Sequence, residues 1–105
     1  MTVTRIFVFA IADPAAQEEA IKTFNGFKDN CKKDGATYIV AAHAAKCDIL
    51  RDTTGSTKWT VFASLTFANQ ADADYWGNED PHNQEVKKKG ESTTSGFFAI
   101  QASFT

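Results

Sequence analysis

The strands encoded by this chain are apolar on both of their faces, and this constrains the fold more than any other feature of the sequence. Successive side chains of a β-strand point to opposite sides, so a sheet with one wet face alternates apolar and polar residues. Residues Val3 to Ala12 set Phe7, Phe9 and Ile11 on one side but Ile6, Val8 and Ala10 on the other. Lys58 to Ala68 sets Trp59, Val61, Ala63, Leu65 and Phe67 against Phe62 and several Thr and Ser. In the last strand Phe98, Ile100, Ala102 and Phe104 oppose Phe97 and Ala99; in Ala36 to Ile49, Tyr38, Val40, Ala42 and Ala44 oppose Ile39, Ala41 and Ala45. A sheet of such strands needs cover on both faces, because soluble monomers rarely expose an apolar patch beyond a few hundred square ångströms.

The segments between the strands read as helices and turns. Asp13-Pro14 supplies a cap and a first-turn proline, and Ala20, Phe24, Phe27 and Cys31 then recur at steps of four, three and four, with Ile21 widening the stripe. This predicts a helix that Gly35 ends. Asp52 to Ser56 forms a turn that joins the second and third strands as a long hairpin. Asn69, followed three residues on by Asp72, opens a second helical region that breaks at Gly77 and restarts at Asp80-Pro81. The order β, α, β, β, broken α, β predicts one α+β domain over residues 1–105. Its expected form is the ferredoxin-like βαββαβ unit, a four-stranded antiparallel sheet with its helices on one face. Two helices cover one face only, so a second copy, packed sheet against sheet about a two-fold axis, is the simplest cover for the other, and a homodimer is expected.

Composition excludes several classes of function. The 43% of hydrophobic residues can build a core without disulfides or metal. Eleven basic against thirteen acidic residues, a formal charge of −2, lack the concentrated positive charge of a nucleic-acid binder. Lys87-Lys88-Lys89 reads as the solvated C-terminal end of a helix, favoured there by the helix dipole. Cys31 and Cys47 show neither a CxxC spacing nor a dense cysteine framework and read as buried thiols, with no metal expected. No apolar run approaches the roughly 20 residues that span a bilayer, and the N-terminus reads as a strand rather than a secretory signal. A cytoplasmic protein without membrane contact is expected. No Gly-rich phosphate loop follows a strand, so no cofactor is expected.

The segment Leu65-Thr-Phe-Ala-Asn-Gln-Ala-Asp-Ala-Asp-Tyr-Trp-Gly-Asn-Glu-Asp-Pro-His82, with the strand order, resembles the stress-responsive dimeric α/β-barrel (Dabb) family over nearly the whole chain. The resemblance implies two-fold dimers whose sheets roll into a barrel, with a pocket in each subunit between sheet and helices. It also implies that Arg5, Phe7 and Phe9 point toward the helices and meet Phe24, Phe27, Leu65, Phe67 and Trp76 around a pocket for an apolar or aromatic small molecule. Some plant members of the family close polyketide rings with a His near the start of the first strand and a Tyr and a His from the second helical region. Aligned without gaps, those positions hold Arg5, Trp76 and His82; a shift of one residue brings Tyr75 to the Tyr place but displaces His82. Trp donates an N–H but cannot exchange a proton as Tyr does, and Arg stays protonated at any ordinary pH.

Among single residues, His82 is the leading acid–base candidate, since imidazole exchanges protons near neutrality and the first turn of a helix fixes its ring. The bland reading gives His82 a hydrogen bond to a strand or an Asp that pins the broken helix. His43, mid-strand among alanines, reads as a core or interface residue, and Asp72, Asp74, Glu79 and Asp80 read as helix-start carboxylates. Three functions stay open. The first is a dimeric small-molecule-binding or stress-associated protein without strong catalysis. The second is a polyketide cyclase or lyase-type enzyme using His82 with Tyr75 or Arg5, and the third is a structural or interaction module with a filled core.

Overall fold

A computed structural model describes residues 1–105. In chain order the elements are β1 (Thr2–Ile11), α1 (Pro14–Asn25), α2 (Phe27–Asn30), β2 (Lys32–Lys33), β3 (Ala36–Thr37), β4 (Ile39–Lys46), β5 (Val61–Phe67), α3 (Gln70–Asn78), α4 (Pro81–Gly90) and β6 (Thr94–Phe104). The four long strands form one sheet in the order β4-β5-β1-β6, antiparallel throughout. This is the ferredoxin-like α+β arrangement that the sequence predicts. β1, apolar on both faces, lies between β5 and β6, where both of its edges are paired.

Register decides which residues share a face. Val3, Arg5, Phe7 and Phe9 stand opposite Phe67, Leu65, Ala63 and Val61, and this set turns toward the helices. Phe24 and Phe27 pack into it from α1 and α2, with ring centroids 4.7 Å apart, and Trp76 from α3 meets Phe7 at 5.4 Å. Val61, Ala63, Leu65, Phe67 and Phe27 have no exposure at all. Each fully buried Val, Leu or Phe stabilises by roughly 1.5–3 kcal/mol, so this layer supplies most of the driving force. The opposite face holds Ile6 and Val8 beside Phe62, Phe98 and Ile100, and no element of the chain covers it. Phe98, Ile100 and Phe104 are 43%, 55% and 56% exposed there.

The departures from the sequence reading have local causes. The first helix does not continue to Gly35: it ends at Asn25, and Gly26 caps it through bonds from its N–H to the carbonyls of Lys22 and Thr23. Gly is the weakest helix former after Pro, and a Cβ at Gly26 would lie 2.9 Å from the Asn30 side chain. Gly35 instead makes a hairpin turn. Asp34 and Gly35 both have positive φ, at 54° and 79°, and join β2 to β3 in the two-residue geometry that an Asp-Gly pair favours. The second helix runs through Gly77 and breaks only at Glu79 and Asp80. The β4–β5 pair is shorter than expected, because residues 47–60 form an irregular connection. A register shift between Ile39 and Ala41 lets Ile39, Ala42 and Ala44 all face the helices, which strict alternation forbids, and turns His43 outward opposite Ser64.

Candidate functional site

α1 and α4 diverge over the β1–β6 half of the sheet and leave a cavity of about 640 Å³ between them, within the usual range of ligand pockets. Its walls follow from the periodicities of the elements. β1 contributes Phe7, Phe9 and Ile11 by alternation, and α1 contributes Ala16, Ala20, Thr23 and Phe24 along one stripe. α4 contributes Asn83, Val86 and Lys87 at helical spacing, α3 contributes Trp76, and β6 contributes Phe97 opposite Phe9. The aromatic rings form a continuous wall: Phe9 lies 5.4 Å from Phe24, 5.9 Å from Phe97 and 6.1 Å from Phe7. Glu19, Lys87, Lys89 and Glu91 also border the cavity, two charges of each sign.

The helix ends that frame the cavity are set by side-chain caps. Asp13 accepts the Ala16 N–H and places Pro14 in the first turn of α1. Asp80 accepts the N–H groups of His82 and Asn83 at 2.9 and 3.2 Å, with Pro81 as the first residue of α4. Asp80 has no exposure, and its other carboxylate oxygen accepts the Tyr38 hydroxyl. Burial, and then the Asp80 carboxylate, holds the Tyr38 proton on. The same two causes push the buried Cys31 thiol up to about 12, so it stays protonated. The Trp76 indole beside Cys31 pulls weakly the other way, but its Nε1 forms no proper hydrogen bond and is the fully enclosed polar side-chain atom left without a partner.

The residues singled out in the sequence fall into three groups. Phe7, Phe9, Phe24 and Trp76 line the cavity. Phe27, Leu65 and Phe67 complete the core and do not reach it. Arg5, Tyr75 and His82 also lie outside the lining, each held by different partners. Arg5 donates from Nε to Gln101 and from its two terminal nitrogens to the Ala73 carbonyl and Asp74, all at 2.9 Å, so it ties β1 and β6 to α3. It leans against Gly77, where a Cβ would come within 2.8 Å of the guanidinium, which is why α3 carries a glycine inside a helical turn. Tyr75 donates to the Lys32 carbonyl at 3.3 Å and lies under the Lys33 ammonium, which also pairs with Asp72 at 3.0 Å. The His82 ring stands edge-on to Phe27, with centroids 5.6 Å apart.

Asn83, Val86 and Phe97 are cavity residues that sequence reasoning missed. Phe97 was accessible to it: in an antiparallel pair the residue opposite Phe9 must share its face. Asn83 and Val86 follow from the Asp80 cap, which fixes the α4 phase so that the third and sixth helical residues point inward.

No family model matches the chain, and no curated protein does either. Solved structures do match. A dimeric protein of unknown function and ferredoxin-like fold from Bacteroides fragilis is 21% identical, with a TM-score of 0.60 over 98% of this chain and 96% of that one. The hydroxynitrile lyase of Passiflora edulis is 11% identical, with a TM-score of 0.75 over 99% and 94%. A Dabb family protein with a ferredoxin-like fold from Mesorhizobium loti is 14% identical, with a TM-score of 0.65 over 99% and 97%. Near-complete coverage in both directions at such identities makes the likeness one of fold, and the chain has the ferredoxin-like fold shared by that Dabb protein and by dimeric proteins of unknown function.

Proposed function

We propose that the protein is a homodimeric, stress-associated or small-molecule-binding protein that takes an apolar or aromatic ligand in the cavity between its sheet and helices, without strong catalysis. The observation that carries this reading is the cavity itself, walled by Phe7, Phe9, Phe24, Trp76 and Phe97 and lined by neither Arg5, Tyr75 nor His82. An open cleft of this size walled by aromatic rings also favours binding over a purely structural module. The uncovered apolar face of the sheet supports the dimer, as do the structural neighbours described as dimeric. A cytoplasmic setting belongs to the same proposal and draws on the two free thiols. No helix is long and apolar enough to cross a membrane.

A thermal-shift screen with neutral aromatic compounds tests the binding reading. Ligands present at 100 times their Kd should stabilise by about 2.7 kcal/mol, and Ala20→Trp, which fills the cavity from α1, should abolish the shift. A screen without a shift, or shifts that survive Ala20→Trp, would count against the cavity as the site.

A second reading keeps a cyclase or lyase-type reaction in which His82 exchanges the proton and Tyr75 or Arg5 steers the substrate oxygen; it draws on the fold shared with the hydroxynitrile lyase. Turnover of a poly-β-keto or cyanohydrin substrate, lost in His82→Ala, is its test. Turnover unchanged in that variant removes His82 from any mechanism.

A further inference from the structure

Asn83 is a polar residue deep in an apolar wall. It is 2% exposed, borders the cavity, and donates from Nδ2 to the Trp76 carbonyl at 2.9 Å. A carbonyl only accepts, so this bond fixes the orientation of the amide and sends Oδ1 to the other side. Oδ1 has no protein donor. Because Trp76 Nε1 is the fully enclosed side-chain atom without a partner, Oδ1 keeps a small accessible surface, and the space that Asn83 adjoins is the cavity.

We propose that the cavity selects a neutral, largely apolar ligand carrying an N–H or O–H donor, and that Asn83 Oδ1 receives that donor. The inference rests on the binding reading above and adds to it the chemistry of the ligand. A ligand that fills the cavity shuts water away from Oδ1, so a molecule that brings a donor is favoured over an isostere that leaves the acceptor buried without one. An anion gains nothing there, because Oδ1 repels it. The charged residues of the lining offer no compensation either: Glu19 and Glu91 balance Lys87 and Lys89, and the Lys87 ammonium is already bound to the Gly77 carbonyl at 2.7 Å. The aromatic wall of Phe7, Phe9, Phe24 and Phe97 favours a flat body for the ligand.

The test compares 2-phenylindole with 1-methyl-2-phenylindole by fluorescence titration of the full chain. The N–H compound should bind roughly tenfold more tightly than its methylated analogue. In Asn83→Leu the ratio should collapse to about one, with the analogue bound as well as before. A nuclear Overhauser contact between the ligand N–H and the Asn83 side-chain amide gives the same answer in the unaltered protein, should Asn83→Leu fail to fold. Equal affinities in the unaltered protein, or a ratio that persists in Asn83→Leu, overturn the role of Asn83 and leave the cavity a binding site. If neither compound binds, the binding reading falls together with the inference.

Discussion

Two protons beside a buried carboxylate show how single residues shape the stability of this protein. Tyr38 and Cys31 flank the fully buried Asp80 carboxylate, and burial together with that negative charge opposes loss of a proton from either. Both groups hold their protons more tightly folded than unfolded. The part due to Cys31 is complete below the ordinary thiol value of 9.0 and is lost as pH rises from there toward about 12, and the part due to Tyr38 begins to be lost above the ordinary phenol value of 10.0. Urea midpoints should therefore fall steadily above pH 9, and Cys31→Ala should flatten the fall; an unchanged slope in that variant would exclude Cys31 as a source. Tyr38→Phe keeps the ring that stacks on Phe67 but removes the donor, leaving one Asp80 oxygen buried without its bond. A loss of about 2 kcal/mol is expected at pH 7, read from the same urea curves. A loss below about 0.5 kcal/mol would mean that water replaces the hydroxyl.

At the scale of elements, the caps do unequal work. Asp13 and Asp80 both precede a first-turn proline, but Asp13 is exposed and caps one N–H, whereas Asp80 is buried and serves two N–H groups and a hydroxyl. Asp13→Ala should cost about 1 kcal/mol. Asp80→Ala should cost roughly 2–4 kcal/mol, since it also orphans the Tyr38 hydroxyl. It should loosen α4 first, visible as faster amide exchange from His82 to Val86; equal losses in the two variants would contradict this ranking. Both caps were legible in the sequence, as Asp-Pro steps ahead of helical stretches, and so was the strand order, which follows from β-branched and aromatic runs between turn signals. The Asp34-Gly35 turn was equally visible, yet the helical stripe running to Cys31 pulled Gly35 into the role of a helix stop. The bulge in β4 was not legible, because Ile39 to Ala45 offers mostly small apolar residues on either parity and only pairing with β5 selects the register. The same holds for the site. Aromatic lining residues announce themselves by type and phase, whereas the separation of Arg5, Tyr75 and His82 depends on which neighbours each side chain meets across the fold.

At the scale of the whole molecule, the two faces of the sheet have opposite fates. The helices bury the β4, β5 and β1 part of one face and leave an open cavity over its β6 side, while Phe98, Ile100 and Phe104 of the edge strand β6 stand exposed on the other face, continuous with Ile6, Val8 and Phe62. A charge placed on that face separates the two explanations for it. Ile100 is 55% exposed and pairs with Ile6 across the strands, so in an isolated subunit Ile100→Glu exchanges one half-wet side chain for a wet one and should shift stability by no more than about 0.5 kcal/mol. In a sheet-to-sheet dimer the same glutamate is buried against the apolar face of the partner's sheet, where the cost of desolvating its charge opposes association. The unaltered protein should therefore run in size-exclusion chromatography with light scattering at twice the 11.5 kDa of one chain, and Ile100→Glu should run as a folded monomer with an unchanged circular dichroism spectrum. A monomeric parent at micromolar concentration, or a variant that dimerises as tightly as its parent, would show that this face does not hold a second copy.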